Sequence, residues 1–364
     1  MPELAAELGV GRVFVKDESA RMGLAAFKVL GASWAVHRIL SGRPGREDIQ
    51  LVTASDGNHG RALAWMARRG GQGARVFVPA GVHPAAVAAI EAEGAQVTAV
   101  DGSYDEAVRQ AAKAARDPAA VLVQDTAWGG YEQVPGWIVE GYSTLFAEID
   151  AQLGQAGAAP PGLVVIPAGV GSLAQAGVAH YRGRPASPAP ALMTVEPASA
   201  AGILASLARG EPVTVPTATT VMAGLNCGTP SALAWPYLSH GLDAAVAVGD
   251  RAAAAAARDL AGYGIPAGPC GGAALAGARA ALTGTGSPGR RAALDAGSET
   301  TVVLLSTEGA AANPVPALVG DRATGPQRPP GCGRRRPRRR LGPPRPGPSR
   351  ARAVPRSASR WTPR

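Results

Sequence analysis

The stretch ESARMGLAAFKVLGA, Glu18 to Ala32, decides how the rest of this chain is read. It holds Lys28, one of only three lysines, with Lys16 and Lys113, among 36 basic residues. Arginine stays protonated in proteins, whereas a lysine amine can become neutral and nucleophilic. A chain that writes nearly every cation as arginine and keeps Lys28 invites a chemical reading of that position. Upstream, Arg12 to Lys16 (RVFVK) reads as a strand and Asp17 to Leu24 as a polar, glycine-containing loop. From about Ala25 the spacing of Phe27, Leu30, Trp34 and Val36 to Ile39 turns helical, which predicts Lys28 in a first helical turn. There the positive end of the helix dipole opposes the ammonium and favours the free amine. A solvated lysine on an amphipathic helix would carry the same local pattern.

Two further loops separate these readings. SDGNHG, Ser55 to Gly60, follows the apolar run Leu51 to Ala54 and precedes a helical pattern from Arg61 to Arg69. A strand, residues tolerant of left-handed backbone, and a helix start together make a nest of backbone amides suited to a carboxylate. AGVGSLA, Ala168 to Ala174, follows the buried-strand run Leu163 to Ile166 and opens a helix to about Tyr181. Its glycines let N–H groups approach a phosphate, but it lacks the lysine of a P-loop and the full dinucleotide fingerprint. A helix-start lysine, a carboxylate nest and a lysine-free phosphate loop together ask for a phosphate-bearing aldehyde, pyridoxal phosphate.

Five blocks then carry a resemblance: VFVKDESARMGLAAFK (Val13 to Lys28), TASDGNHGRALAW (Thr53 to Trp65), VQDTAWGGYEQVPGWIVEGY (Val123 to Tyr142), VMAGLNCGTPSALAW (Val221 to Trp235) and LLSTEGA (Leu304 to Ala310). With these the chain resembles the fold-type II pyridoxal-phosphate enzymes of the tryptophan synthase β superfamily, and among them the diaminopropionate ammonia-lyases. The resemblance implies two open twisted α/β domains with the cofactor in the cleft between them. Residues 1–42 with 155–320 would form the larger domain and 43–154 the smaller. It implies Lys28 as the Schiff-base lysine and as a base at the substrate Cα. Gly169, Val170, Gly171, Ser172 and Leu173 would cradle the phosphate through backbone amides, and Asn58 would meet the phenolic oxygen. Ser306 or Thr307 would face the pyridine nitrogen, and a hydroxyl there suits elimination more than transamination. His59 is read as a motif residue that fixes its loop, Glu308 as structural near the cofactor ring, and Trp128, Tyr131 and Trp137 as packing.

Ser55, Asp56, Gly57, Asn58 and Asp125 are the expected substrate-binding residues, and Asp56 and Asp125 join Lys28 as catalytic candidates. Relatives acting on serine or threonine carry a hydroxyl residue at the position of Asp56. A carboxylate there can pair with the second ammonium of a 2,3-diamino acid. Raised in pKa by burial, it can also protonate the departing amine. In the resembled family this aspartate is also implicated as the base for the D-enantiomer. A helix-capping role is the plainer reading of both aspartates. In AGPCGGAAL the family's acidic residue is replaced, with Pro269 and Cys270 standing instead, so a carboxylate is expected to be missing there. The expected reaction is elimination of 2,3-diaminopropionate to pyruvate and two ammonia. A serine or threonine dehydratase, or an inactive relative serving as a binding module, are the alternatives.

Between Leu51 and Asp150 strands and helices alternate, with strands at Val76 to Pro79, Val97 to Val100 and Val121 to Gln124 and helices at Pro84 to Glu93 and Tyr104 to Arg116. Asp125 would end the last of those strands. A second series has strands at Leu163 to Ile166, Leu192 to Val195, Ala245 to Val248 and Val302 to Leu305. The formal net charge of +9 is uneven. Residues 322–364 hold 14 arginines and no acid, which leaves 22 basic against 27 acidic residues elsewhere, a net of −5. The tail 321–364, rich in Arg, Pro and Gly, is expected to be disordered, and a nucleic-acid role is disfavoured because no aromatics interleave its arginines. Three widely spaced cysteines imply neither disulfides nor a metal site, and no leader or spanning segment is evident, which points to a cytoplasmic protein. The family resemblance adds a homodimer and a start several tens of residues longer than this one, so a shortened or misassigned start is expected.

Overall fold

The computed structural model describes residues 1–43, 48–184 and 189–315. The arginine-rich tail lies outside the described residues. The chain opens with helix α1 (Pro2–Leu8), strand β1 (Arg12–Asp17) and helix α2 (Lys28–Ser41). Four strand–helix units follow: β2 (Gln50–Ala54) and α3 (Asn58–Arg69), β3 (Gly73–Pro79) and α4 (Pro84–Glu91), β4 (Gln96–Val100) and α5 (Tyr104–Ala114), then β5 (Ala120–Leu122) and the long α6 (Gln133–Gln155). The second series runs β6 (Leu163–Pro167), α7 (Ser172–Arg182), β7 (Ala191–Pro197), α8 (Gly202–Arg209), α9 (Trp235–Gly241), β8 (Ala244–Val248), α10 (Asp250–Gly262), α11 (Pro269–Leu282), α12 (Ser287–Ala293) and β9 (Thr301–Ser306).

The strands form two parallel sheets, one of five strands in the order β1-β9-β6-β7-β8 and one of four in the order β4-β3-β2-β5. Parallel strands joined by helical crossovers are covered on both faces and therefore read as continuous apolar runs. β6 (LVVIP) and β9 (TVVLLS) are buried at every residue. One core layer gathers α2, α6 and α7 against Val164, Ile166, Val303 and Leu305. The opposite face of the same sheet takes α1, α10 and α11 against Leu163, Val165, Val302 and Leu304.

Strand order positions the site. In the five-stranded sheet the chain steps from β6 outward to β7 and β8, then returns as β9 on the other flank of β6. In the four-stranded sheet it steps from β2 to β3 and β4, then returns as β5 on the other flank of β2. Each reversal leaves a crevice beyond the carboxyl ends of two neighbouring strands, where open α/β sheets bind ligands. The loops after β6 and β9, and after β2 and β5, are the segments the sequence singles out.

Three differences from the sequence reading have physical causes. β5 ends at Leu122, so Asp125 stands beyond the strand; the Gln124 N–H donates to the Tyr131 hydroxyl at 2.8 Å. α3 starts at Asn58 rather than Arg61, because Gly57 takes φ 140°, ψ −73°, which only glycine adopts cheaply, and caps the helix there. α6, which the sequence reading did not single out, opens with Pro135 and Gly136 in its first turn, where a missing N–H breaks no intrahelical bond. Its packing on α2 rests on two small residues. A Cβ on Gly31 would lie 2.6 Å from Tyr142 Cε1, and one on Gly141 would strike the Leu30 carbonyl. This approach, with the Phe27 and Tyr142 rings 4.9 Å apart, fixes the start of α2 and with it Lys28.

Candidate active site

Lys28 is the first residue of α2, as its spacing predicts, and its amine points into a cleft. The cleft is lined by Ser55 to His59, Tyr104, Asp125, Gly169 to Leu173, Cys227 and Thr307, among others. Thus every candidate site residue lines it except Ser306. The other lysines are occupied elsewhere: Lys16 donates to Glu148 at 2.5 Å and Gln152 at 3.0 Å, and Lys113 is exposed on α5.

The protonation of Lys28 differs from the expectation of a free amine. Its Nζ lies 2.5 Å from Asp125 Oδ2. Burial alone would push the amine down, but the Asp125 charge and hydrogen bond outweigh it and hold the amine well above the usual lysine range. Asp125 responds in the opposite sense. Burial would raise its carboxyl, yet the Lys28 charge and hydrogen bond and the Tyr104 hydroxyl hold it well below the usual carboxylate range. Asp125 also receives Tyr104 OH on Oδ1 at 3.2 Å, and its carbonyl accepts the Ser172 hydroxyl at 2.6 Å. That last bond ties the loop after β5 to the start of α7.

Asp56 is pushed up to about 8, first by burial and then by the Asp125 charge, with Lys28 opposing. Two carboxylates sharing one lysine thus separate, one ionised and one protonated at neutral pH. The loop that carries Asp56 is shaped by Ser55, whose Oγ accepts from Gly57 N at 3.0 Å and Gly60 N at 2.8 Å. Part of the expected carboxylate nest is therefore spent internally. The N–H groups of Asn58 and His59 find no protein acceptor among the described residues. His59 Nε2 lies 2.8 Å from the Val123 carbonyl, burial pushes its pKa down, and its Nδ1 is buried without a partner, as befits a neutral ring that fixes the loop.

The glycine loop has the features of an anion cradle. Gly171 takes φ 95°, and a Cβ there would lie 2.7 Å from Leu238 Cδ1. A Cβ on Gly169 would lie 3.1 Å from Cys227 Sγ. Among the described residues, the N–H groups from Gly169 to Leu173 have no protein acceptor, and α7 runs directly away from them. At the end of β9, Thr307 Oγ1 is buried, unpartnered and in the cleft lining. Ser306 Oγ is also unpartnered but turns toward α11, 2.8 Å from where a Gly271 Cβ would stand.

The start of α11 carries no acidic side chain of its own, Pro269 and Cys270 standing there, and the Glu308 carboxylate from the end of β9 packs against it. Its Oε1 accepts from the Cys270 N–H at 3.2 Å, and Gly268 leaves room for it. Tyr104, Cys227 and Gly224 were not singled out from sequence. Tyr104 had only a helix-start signal, and the other two lay inside a matched block without a chemical pattern of their own.

A model of the family described as "Pyridoxal-phosphate dependent enzyme" matches residues 1–306. The chain belongs to this family of pyridoxal-phosphate enzymes. It is 36% identical over 276 residues to the diaminopropionate ammonia-lyase of Salmonella typhimurium, covering 70% of this chain and 68% of that protein. It is 37% identical over 257 residues to that of Escherichia coli strain K12, covering 66% and 64%. The chain thus spans about two thirds of the length of these curated relatives. Its fold is similar to the crystal structure of E. coli diaminopropionate ammonia lyase in complex with an aminoacrylate–PLP azomethine reaction intermediate. The TM-score is 0.78 with 33% identity, over 85% of this chain and 82% of that one. A fungal L-serine ammonia-lyase from Rhizomucor miehei, 24% identical with a TM-score of 0.70, shares the fold. The residues fit the family's cofactor: a half-buried lysine amine, open N–H groups after β6, and the unpartnered Thr307 hydroxyl match an aldehyde, a phosphate and a ring nitrogen. Among the described residues no group of His, Cys, Asp and Glu could hold a metal ion, and no helix is long and apolar enough to cross a membrane.

Proposed function

We propose that this chain is a diaminopropionate ammonia-lyase, converting 2,3-diaminopropionate and water to pyruvate and two ammonia. The observation that carries this reading is Asp56, a carboxyl raised to about 8 beside the Lys28–Asp125 pair. When bound, pyridoxal phosphate supplies the electron sink that stabilises negative charge at the substrate Cα.

Every other step falls to side chains. Lys28 would be the attachment point and, released as the neutral amine when substrate takes its place, would accept the Cα proton, the ammonium so formed pairing with Asp125. Asp125 sets the protonation of Lys28 and, with Tyr104, its position. Asp56, protonated near neutral pH, gives its proton to the departing β-amine and pairs with the substrate's second ammonium when ionised. The N–H groups of Gly169 to Leu173 would hold the phosphate, Asn58 would meet the phenolic oxygen, and Thr307, rather than Ser306, would serve the ring nitrogen. Ser55 and Gly57 shape the loop that receives the substrate carboxylate at the N–H groups of Asn58 and His59.

A dehydratase acting on serine or threonine is the competing reading, since the L-threonine ammonia-lyase of Geobacter sulfurreducens is 28% identical. A hydroxyl substrate gives Asp56 no ammonium to pair with. We also read two domains, one on each sheet, with the expected boundary at 154/155 moved to the start of α6, because α6 packs on α2 and α7 of the five-stranded sheet. The molecule is taken as a cytoplasmic homodimer, to be checked by sedimentation and fractionation.

The test is an absorbance spectrum of the purified chain with pyridoxal phosphate, followed by a coupled pyruvate assay with DL-diaminopropionate and with serine. The expected result is a borohydride-sensitive visible band absent from Lys28→Ala, with pyruvate formed faster from the diamino acid. A band that survives in Lys28→Ala, or faster pyruvate from serine, refutes the assignment.

A further inference from the structure

Glu308 stands at the centre of a buried hydrogen-bond knot that the proposed reaction leaves unused. It is 2% exposed and follows Thr307 at the end of β9. Its Oε2 accepts from Asn58 Nδ2 at 2.5 Å. Its Oε1 accepts from the Cys270 N–H at 3.2 Å and from Asn313 Nδ2 at 3.3 Å. Asn313 is anchored in turn, donating to the Val221 carbonyl at 2.8 Å. Three donors from three segments therefore converge on one carboxylate, and each oxygen must accept.

This arrangement decides which way Asn58 faces. An asparagine amide has one donor end and one acceptor end, and nothing local to α3 selects between its two orientations. Against an oxygen that can only accept, the Nδ2 end must turn to Glu308. Its second hydrogen is then available to the cleft that Asn58 lines. We propose that Glu308 is a positioning residue that sets the Asn58 amide so that an N–H, not an oxygen, meets the phenolic oxygen of the bound cofactor. The proposal rests on the cofactor reading above and is independent of the choice of substrate.

Glutamine at this position breaks the logic without changing the volume. It has one acceptor oxygen for the donors that two now satisfy. If that oxygen stays on Cys270 and Asn313, its amide hydrogens face Asn58, and the Asn58 amide turns over. Burial also pushes the Glu308 pKa up, partly offset by these donors, so the knot tolerates ionisation only because it is fully partnered.

The test is a double-mutant cycle on full-length chain, with wild type, Glu308→Gln, Asn58→Ala and the combined variant. It reads the cofactor dissociation constant and the position of the visible band. Losing one hydrogen bond predicts about five- to tenfold weaker cofactor binding in Glu308→Gln. Its band should move in the same direction as that of Asn58→Ala, and the combined variant should be no weaker than Asn58→Ala alone. Losses that multiply in the combined variant, or an unmoved band in Glu308→Gln, overturn the proposal and make Glu308 a packing residue. If Glu308→Gln does not fold, Glu308→Asp keeps the charge but withdraws it from Asn58, and an unmoved band there is equally decisive. A wild-type chain that takes up no cofactor overturns both this proposal and the reading beneath it.

Discussion

At the scale of single residues, the proposed reaction divides labour between two aspartates. Asp125 faces Lys28 at 2.5 Å and stays ionised, whereas Asp56 is held near 8 by burial and by the charge of Asp125. A group that acts as a proton donor must be protonated, so turnover of diaminopropionate should fall as pH rises through about 8. Asp56→Asn should lower kcat by at least about 10²-fold while cofactor uptake persists, measured by pyruvate release and absorbance. The same shift has a stability consequence. The unfolded value is about 4, so between pH 4 and about 8 the folded chain keeps a proton that the unfolded chain has lost. Stability is therefore greatest at the acid end of that window and declines toward pH 8. Thermal unfolding of the cofactor-free chain at pH 5, 6.5 and 8 should decline more steeply for wild type than for Asp56→Asn. Glu196, also pushed to about 8 by burial, slopes both equally, and the opening of Asp56 on the cleft keeps the difference to a few degrees. The identity of Asp56 was legible in sequence because its loop pattern was; its pKa was not, because that depends on a carboxylate 69 positions away.

At the scale of elements, the helix starts do most of the positioning. α2 presents Lys28, α3 presents Asn58 and α7 heads the glycine loop. Gly171 is the sensitive joint: its backbone is left-handed at φ 95°, and a side chain there would bring its Cβ to 2.7 Å from Leu238. Gly171→Ala should destabilise the chain by about 1–3 kcal/mol, from left-handed strain and crowding, and weaken cofactor binding further. Urea unfolding and cofactor titration measure the two parts; a variant as stable as wild type would show that the loop is free to adjust. The sheet elements were readable from their apolar runs, because parallel strands are buried on both faces. α6 was not singled out, because its start is marked only by Pro135 and Gly136 and its place is set by packing on α2 through Gly31 and Gly141. Propensity is a weak prior where tertiary contact supplies the stability.

At the scale of the whole molecule, the charge distribution makes a separate prediction. Residues outside 322–364 sum to −5, while the full chain sums to +9. A chain ending at residue 315 should keep cofactor uptake and turnover within about twofold and lose retention on a cation exchanger at low salt. Loss of cofactor uptake on that truncation would mean that the basic segment contributes to the site. The sequence by itself determined the chemistry on offer: a retained lysine at a helix start, a carboxylate-bearing loop, a lysine-free glycine turn and a hydroxyl pair at a strand end. These are local patterns, set by the residues that form them. Only the tertiary structure decided how they meet. Strand order turns back at β6 and β9 and again at β2 and β5, so loops far apart in the chain open on one cleft. It also decided that Lys28 is paired rather than free, that Thr307 and not Ser306 reaches the cleft, and that the Glu308 carboxylate packs against the start of α11. Electrostatic and hydrogen-bond partners act across space, and a linear pattern carries no record of which distant residues a fold will bring within about 3 Å.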